Sequence, residues 1–495
     1  MENIQVVIKG EGTFSLKRGE NVLSVLSEEK RAAISGCAGN GSCGKCAVRF
    51  IMGAPLPTAT DRKMFSPSAL REGYRLACLA KPTQNCILEF CFSQQEIEIV
   101  DVAFSKDNIH SLGAQIDSRV VVSVSPDAYG PVMVVVDLGT TTIVMQLIEI
   151  ETGKVIDTYK TMNPQRRFGA DVMTRMTQAL KGDDILLSEC VQYCLNGMID
   201  KWLYAGFCPE LVAVSCNTCM TYLYNRFDVT ELSKAPYNAT KLDKVETEIA
   251  HIPTVFLPGL SAFVGGDITA GLLACNAKRE EEKTPEGIYM LIDLGTNGEI
   301  ALVKGEEIFV TATSAGPAFE GGANANTPGT DMVRIISLLL SKGMIDETGL
   351  FADAEDPLLH SGVVVDGVLI RQEDVRSIQV AKAAVYAGIQ ILCEKAQITP
   401  EQIEKVYLAG GFGYFLDVDS ACNIGLLPEQ LREKTTAVGN TSLSGGLAYG
   451  LAYRKDPGAD PAEEIKRRTK SINLAREDGF EKRYIDAINL TGRRS

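Results

Sequence analysis

Apolar and polar positions alternate at the start of the chain. Ile4-Gln-Val-Val-Ile8 reads as a strand, Gly10–Gly12 as a turn and Thr13–Leu16 as a second strand. Over Asn21–Lys30 the period lengthens, with Val22, Leu23 and Leu26 on one face, which predicts a helix. Ala47–Ile51 and Cys86–Cys91 read as further strands. Residues 92–130 are more polar and end in the turn cluster Asp127-Ala-Tyr-Gly-Pro131. They predict a linker with a local strand at Arg119–Val124.

Beyond the linker one pattern is stated twice. Met133–Val136 is a buried-type strand ending in Asp137-Leu-Gly-Thr-Thr-Thr142, followed by strand Ile143–Ile150, the turn Thr152-Gly-Lys154 and a strand from Val155. The second copy begins 156 residues later. Tyr289–Ile292 leads into Asp293-Leu-Gly-Thr-Asn-Gly298, then Glu299–Val303, the turn Lys304-Gly-Glu306 and strand Ile308–Ala312. Such self-similarity indicates duplication. A further strand, Val406–Ala409, runs into the glycine loop Gly410-Gly-Phe-Gly413.

Composition narrows the possibilities. Among 495 residues, 49 Lys and Arg against 63 Asp and Glu leave a net charge of −14, the wrong sign for a nucleic-acid binder. No apolar run reaches the ~18–20 residues needed to span a bilayer, and Met1-Glu-Asn-Ile-Gln is no signal peptide. A cytoplasmic protein is expected. In that compartment thiols stay reduced, so the 14 cysteines call for metal binding or burial, not a disulfide framework.

Six of them lie before residue 92. Cys37, Cys43 and Cys46 form C-x5-C-x2-C within a run holding four glycines in eleven residues, and Cys78 follows. Four thiolates suit a [2Fe–2S] cluster, whose plant-type spacing is C-x4-C-x2-C…C. The glycines let backbone amides turn toward cluster sulfurs. Zinc is the alternative, since Cys43 and Cys46 could be half a knuckle, but zinc sites usually show two close pairs. Cys86 and Cys91 alternate in a strand and read as core thiols, as do Cys216 and Cys219. Strand, strand, helix, Cys loop and strands together resemble the β-grasp fold of plant-type ferredoxins, with the longer first gap of the adrenodoxin-like branch.

The two Asp-x-Gly-Thr hairpins and the late Gly-Gly-x-Gly resemble the actin, sugar kinase and Hsp70 (ASKHA) ATPase superfamily, whose two RNase H-like halves close around ATP. Physically, each hairpin offers amides and hydroxyls to phosphate oxygens through Gly139, Thr140 and Thr141 and through Gly295, Thr296 and Asn297. Asp137 and Asp293 end their strands where Mg2+ and its waters would be held. Gly410, Gly411 and Gly413 would lay bare backbone against the nucleoside. Phe263-Val-Gly-Gly-Asp267-Ile-Thr-Ala-Gly271 and Val380–Gly388 match the two small-residue helices that cross between halves as a hinge. Asp267 stands where related sugar kinases carry their base, from which it would orient an attacking water or a Mg2+ water. A helix N-cap is the alternative.

Further segments resemble the ATP-dependent reductive activators of corrinoid enzymes: Asn163–Arg175, Ser314–Gly322 (with Gly316 and Glu320), Leu408–Gly413 and Gly439-Asn-Thr-Ser-Leu-Ser-Gly-Gly446 (with Gly445). That family joins a [2Fe–2S] module to this type of ATPase. The resemblance therefore implies a multi-domain α/β chain: a β-grasp ferredoxin-like domain (1–95), a linker (96–130), a duplicated RNase H-like ATPase (131–455, halves 131–285 and 286–455) and a helical tail (456–495) docking through Ile472, Leu474, Ala475, Phe480, Tyr484, Ile485 and Ile488. Lys466–Arg468 in that tail are expected to face water. The implied activity is ATP-driven transfer of an electron from a low-potential donor to a partner's Co(II) corrinoid, with Asp137, Asp267 and Asp293 at the ATP and Mg2+ site. Neither a membrane nor a nucleic acid is involved in this reading, and a homodimer is compatible with it. Longer relatives carry an additional middle domain, for which this chain has no room. A redox-sensing ATP-binding module, an activator of a 2-hydroxyacyl-CoA dehydratase and a small-molecule kinase remain alternatives.

Overall fold

The computed structural model describes residues 3–9, 12–25, 46–65, 67–90, 126, 129–284, 286–295, 297–313, 319, 329–352, 362–365 and 368–490. The chain divides into two compact units, residues 1–97 with 162–191, and residues 98–161 with 192–495. Cys37, Cys43, Cys91, Thr296, Gly316, Glu320 and the expected strand Arg119–Val124 lie outside the described residues.

In the first unit β1 (Asn3–Ile8), β2 (Gly12–Lys17), β3 (Ala47–Met52), β4 (Tyr74–Leu76) and β5 (Cys86–Phe90) form one sheet in the order β2-β1-β5-β3-β4. The β1–β5 pair is parallel and the others antiparallel. Alternation along β1 buries Ile4, Val6 and Ile8, which pack with Leu16, Val48, Phe50, Leu76 and Leu88. Cys86 joins this core, and burial pushes its thiol up to about 11, as befits a packing residue. Where the pattern predicts a helix over Asn21–Lys30, the described part is a single 3-10 turn, Val22–Val25. Helices α1 (Ala59–Met64) and α2 (Pro67–Arg71) precede β4. The same unit holds α3 (Val172–Gln178) and the start of α4 (Asp184–Tyr204). The buried Arg175 braces this segment by donating to Gly169 O (2.9 Å), while Gln165 donates to Leu187 O (2.8 Å).

The second unit holds the duplication. Its first half contains β6 (Val132–Leu138), β7 (Thr142–Glu149), β8 (Val155–Met162), β9 (Pro209–Cys216), α5 (Thr218–Asn225), β10 (Val245–Ile249), β11 (Ile252–Phe256) and α6 (Gly266–Glu281). Its second contains β12 (Tyr289–Leu294), β13 (Gly298–Lys304), β14 (Glu307–Thr313), α7 (Gly329–Ser341), a small hairpin of β15 (Val363–Val365) and β16 (Val368–Ile370), and α8 (Gln372–Lys395). There follow β17 (Lys405–Ala409), α9 (Gly410–Phe415), α10 (Val418–Ile424), β18 (Thr435–Gly439), α11 (Thr441–Lys455), α12 (Glu463–Arg468), β19 (Thr469–Ser471) and α13 (Phe480–Asp486). The sheets run β10-β11-β9-β6-β7-β8 and β18-β17-β12-β13-β14-β19. In each, the strand that ends in Asp-Leu-Gly lies between a parallel neighbour and an antiparallel hairpin partner. Such a central strand is covered on both faces, hence the unbroken run Val132–Val136.

Three expectations need correction. The third glycine loop is the first turn of α9, entered from Ala409. Helix α6 packs against α11, where the sequence pattern pairs it with Val380–Gly388 of α8; α8 lies instead against β13, β14, α7 and α13. The tail is more than a helix: β19 extends the second sheet in parallel with β14, and Ile472 N–H continues to Val310 O (2.8 Å). Lys466 and Arg468 are largely covered and paired, Lys466 with Asp243 (2.7 Å) and Asp460 (3.3 Å), Arg468 with Glu306 (3.5 Å). Among the described residues no helix is long and apolar enough to cross a membrane.

Candidate functional site

The thiol site is built from two elements. Cys46 lies just before β3 and Cys78 just after β4, and the backbone bond from Ala77 N–H to Cys46 O (2.8 Å) ties the two together. Their sulfurs are 3.2 Å apart and both residues are buried. Asp61 steadies this region: its carboxylate accepts from Thr58 N–H (2.7 Å), Thr58 Oγ1 (2.7 Å) and Leu76 N–H (2.8 Å). Two buried thiols with their sulfurs 3.2 Å apart can be reached by one soft metal centre. The donor set therefore fits a thiolate-held cluster.

The nucleotide candidates gather where the central strands of both sheets end. Hairpin β6–β7 turns through Gly139–Thr141, and Gly295 and Asn297 lie at the turn of hairpin β12–β13. A Cβ on Gly139 would stand 2.8 Å from Thr142 O, so the tight turn requires glycine there. Gly410 has φ +83°, and a Cβ on it would collide with the Asp293 carboxylate and the Leu294 carbonyl. Around Gly295 and Gly411 the space is open. Gly413 packs on Leu408, and Phe412 stacks on Phe319 with ring centroids 4.2 Å apart. A Cβ on Gly445 would run into Ala270 O, so this glycine serves the α6–α11 contact.

Two asparagines, neither among the candidates drawn from sequence, hold the hairpins. Asn217 caps α5 by accepting from Met220 N–H (2.9 Å) and donates from Nδ2 to Thr140 Oγ1 (2.9 Å). Asn440 caps α11 by accepting from Leu443 N–H (3.0 Å) and donates to Asp137 Oδ2 (2.7 Å). A carboxylate on strand β6 of one sheet is thereby held by a residue that follows β18 of the other. The repeated Asn-Thr pairs, Asn217-Thr218 and Asn440-Thr441, were the available signal. Glu299 was also missed; it is 8% exposed and sits opposite Asp293 in the ladder.

Four carboxylates thus share one region. Burial and the nearby Asp267 raise Asp137 to about 7, against the lowering effect of the Asn440 bond. Burial, then Asp267 and Asp137, raise Asp293 to about 8. Burial, then Asp267 and Asp293, lift Glu299 well above its ordinary range. Asp267 rises less, to about 6, because burial is offset by main-chain N–H donors, among them Ile268 N–H at 2.8 Å. The N-cap of α6 is Gly265, so Asp267 is the helix's second residue and not its cap. Such mutual repulsion calls for a cation. Among the described residues no three acidic, Cys or His groups are close enough to hold one directly, so waters would complete its shell. Cys216 lies beside Asp137 and Asp267 with its thiol 3.1 Å from Thr221 Oγ1, and burial pushes that thiol far up.

Comparison with known proteins identifies the domains of the chain. A 2Fe-2S iron-sulfur cluster binding domain matches residues 6–83. The RACo middle region matches 132–280, and the C-terminal domain of RACo, the ASKHA domain, matches 287–327 and 325–495. The match to the family's middle region thus falls on the first half of the duplication. The corrinoid activation enzyme RamQ of Eubacterium limosum is 29% identical over 423 residues, covering 70% of this chain and 68% of the relative. The [Co(II) methylated amine-specific corrinoid protein] reductase of Methanosarcina barkeri is 22% identical over 425 residues, 71% of this chain and 76% of that one. The solved structure of a reductive activator for corrinoid,iron-sulfur protein shares the fold with a TM-score of 0.62 and 22% identity, over 99% of this chain and 98% of the other. With a ferredoxin-type module ahead of an ASKHA domain and matches along nearly its whole length, the chain belongs to the family of reductive activators of corrinoid enzymes.

Proposed function

We propose that this chain uses ATP to deliver a low-potential electron to the Co(II) corrinoid of a partner protein, returning it to Co(I). The carrying observation is the combination in one polypeptide of a buried convergent thiol pair, Cys46 and Cys78, with a carboxylate-lined double hairpin. A [2Fe–2S] cluster, when bound, supplies a one-electron carrier at about −400 mV. Cys37, Cys43, Cys46 and Cys78 would be its ligands.

The residues of the other unit supply the driving force. Gly139–Thr141 and residues 295–297 would take the phosphates, Asp137 and Asp293 the waters of a Mg2+ ion, and Gly410 and Gly411 the nucleoside. Asp267, fixed by the Ile268 amide, would orient the water that attacks the terminal phosphate. Electron transfer to an acceptor of lower potential costs about 2.3 kcal/mol per 100 mV. Nucleotide cannot push an electron, but it can favour a conformation that binds one oxidation state of the partner. Moving such an equilibrium from 1:99 to 99:1 takes about 5.5 kcal/mol of differential binding. Hydrolysis then resets the site.

The test is anaerobic. Holoprotein reduced with titanium(III) is mixed with a Co(II) corrinoid protein, and the cobalt absorption spectrum is followed with and without Mg-ATP. Co(I) formation that depends on Mg-ATP supports the reading. Equal reduction in its absence, across candidate corrinoid proteins, refutes it.

A further inference from the structure

The Asn440 amide performs two tasks with two ends. Its oxygen accepts from Leu443 N–H and so starts α11, while its nitrogen donates to Asp137 Oδ2 at 2.7 Å. Only the first task is structural in the ordinary sense, since Ser or Asp caps a helix as well as Asn does. The second requires an amide.

What lies behind Asn440 gives the second bond a consequence. Helix α11 is packed tightly on α6: Gly445 faces the Ala270 carbonyl with no room for a Cβ, and Gly271 lies against Thr441 and Leu291. Helix α6 in turn carries Asp267 in its first turn, and the charge of Asp267 is felt by Asp137, Asp293 and Glu299. Ser215 Oγ also donates to Ser442 O (3.0 Å), fastening the start of α11 to the strand beside β6. Asp137, Asn440, α11, α6 and Asp267 are therefore linked in series by contacts, and the charge of Asp267 acts back on Asp137. Interfaces packed this closely shift as units instead of deforming gradually.

We propose that Asn440 is a positioning residue that relays occupancy of the Asp137 site to the α6–α11 pair. When a hydrated cation with its nucleotide claims the Asp137 oxygen, the Asn440 amide must follow or let go, and α11 moves with its cap. Asn217 differs. It holds Thr140 from within the same sheet, so it steadies a phosphate hairpin without linking the two halves. The inference rests on the ATP reading given above and adds the residue through which the nucleotide is sensed.

The experiment compares full-length wild-type holoprotein with Asn440→Ser and Asn440→Ala. Melting temperature, Mg-ATP affinity by calorimetry, and amide hydrogen exchange of residues 266–281 and 441–455 are measured with and without a non-hydrolysable ATP analogue. Asn440→Ser keeps the cap but leaves the buried Asp137 carboxyl without its amide donor, so it should melt somewhat below wild type, and it should still bind nucleotide, because the bond it loses is already made in the free protein. At saturating analogue its exchange in 441–455 should no longer respond. Asn440→Ala loses the cap as well and should melt lower still. A wild-type exchange response in saturated Asn440→Ser overturns the relay while leaving ATP binding intact. So does a variant that fails to load at millimolar nucleotide, because a relay must leave the site usable. A wild-type protein that binds no nucleotide would instead remove the ATP reading, and the relay with it.

Discussion

Asp293 and Glu299 are direct partners across the β12–β13 ladder, two acidic residues facing each other where the first hairpin pairs Asp137 with Val144. Like charges placed opposite one another destabilise a sheet, and here burial adds to the cost, driving both carboxyls upward. The duplicated hairpins are therefore electrostatically unequal. Replacing Glu299 with Gln removes the repulsion and retains the shape. Glu299→Gln should raise the melting temperature of the nucleotide-free protein at pH 8 and weaken Mg2+-dependent nucleotide binding. A variant that melts lower, with unchanged binding, would show that Glu299 is only a packing residue.

The same carboxylates set a pH dependence. Burial and neighbouring carboxylates push Asp293 up to about 8 and Asp137 up to about 7 in the folded chain, against 3.8 for both when unperturbed. The folded state thus holds protons that the unfolded state releases between those values, so stability falls as pH rises through this window. Metal-free protein should melt lower at pH 8 than at pH 6. Mg2+ with ADP should reduce the difference, since the cation supplies the charge that protons otherwise provide. Asp293→Asn should flatten the metal-free profile. A metal-free melting temperature that climbs from pH 6 to pH 8 would contradict the carboxylate placement.

The two sites should fail separately. Asp137→Ala or Asp293→Ala should abolish nucleotide-dependent reduction of a corrinoid partner and leave the visible spectrum of the cluster unchanged. Cys78→Ser should damage the cluster, because Cys78 is half of the 3.2 Å sulfur pair, and spare nucleotide binding. Absorption spectra and calorimetry on the three variants check this directly. Loss of the cluster in an aspartate variant would mean that the units depend on each other for folding.

How much of this could be seen in the chain before its fold was known depends on the range of the interaction. Both Asp-Leu-Gly hairpins are local, so their strands, turns and glycines were legible, and the topology repeats around them. Strand β19 was not legible, because Thr469-Lys-Ser471 has no apolar alternation and is recruited by the open edge of β14. Helix α8 carries the same small residues as α6, yet α6 pairs with α11, a choice made by long-range packing at Gly445. Glu299 reads as an ordinary strand residue until the register places it against Asp293. The Asn-Thr pairs were legible as a repeat, but each amide's second partner was not, since Asp137 lies 303 residues from Asn440.

Two glycines distinguish packing from ligand contact. Gly445→Ala forces a methyl against Ala270 O and should cost about 1–3 kcal/mol as an overpacked helix contact. Gly410→Ala places its methyl against the Asp293 carboxylate and adds a residue at φ +83° that disfavours a side chain. It should lower stability and nucleotide affinity together, whereas Gly445→Ala should lower stability alone. Denaturation curves and binding isotherms for both variants separate the two losses. Equal effects on both readouts would argue that α9 and α11 serve the site in the same way.

The C-terminal segment is held by main-chain carbonyls that buried side chains reach from α8. Gln379 donates to Ile488 O (3.0 Å) and to Thr348 O (3.0 Å), and Lys382 donates to Asn489 O. Leu490 N–H bonds to Glu347 O (2.7 Å), and the Leu490 side chain is buried in the core beneath α8. Burial pushes the Lys382 amine down to about 8, so the segment covers a group that would otherwise be hydrated. Leu490→Ala should therefore cost about 2–5 kcal/mol if the cavity stays closed, and less if the segment lets go and water reaches Lys382. Limited trypsin digestion tells these apart. Release would speed cleavage after Lys482 and Arg483 on α13, whereas a closed cavity would lower the melting temperature with cleavage at the wild-type rate. An unchanged melting temperature together with unchanged cleavage would mean that Leu490 does not anchor the tail.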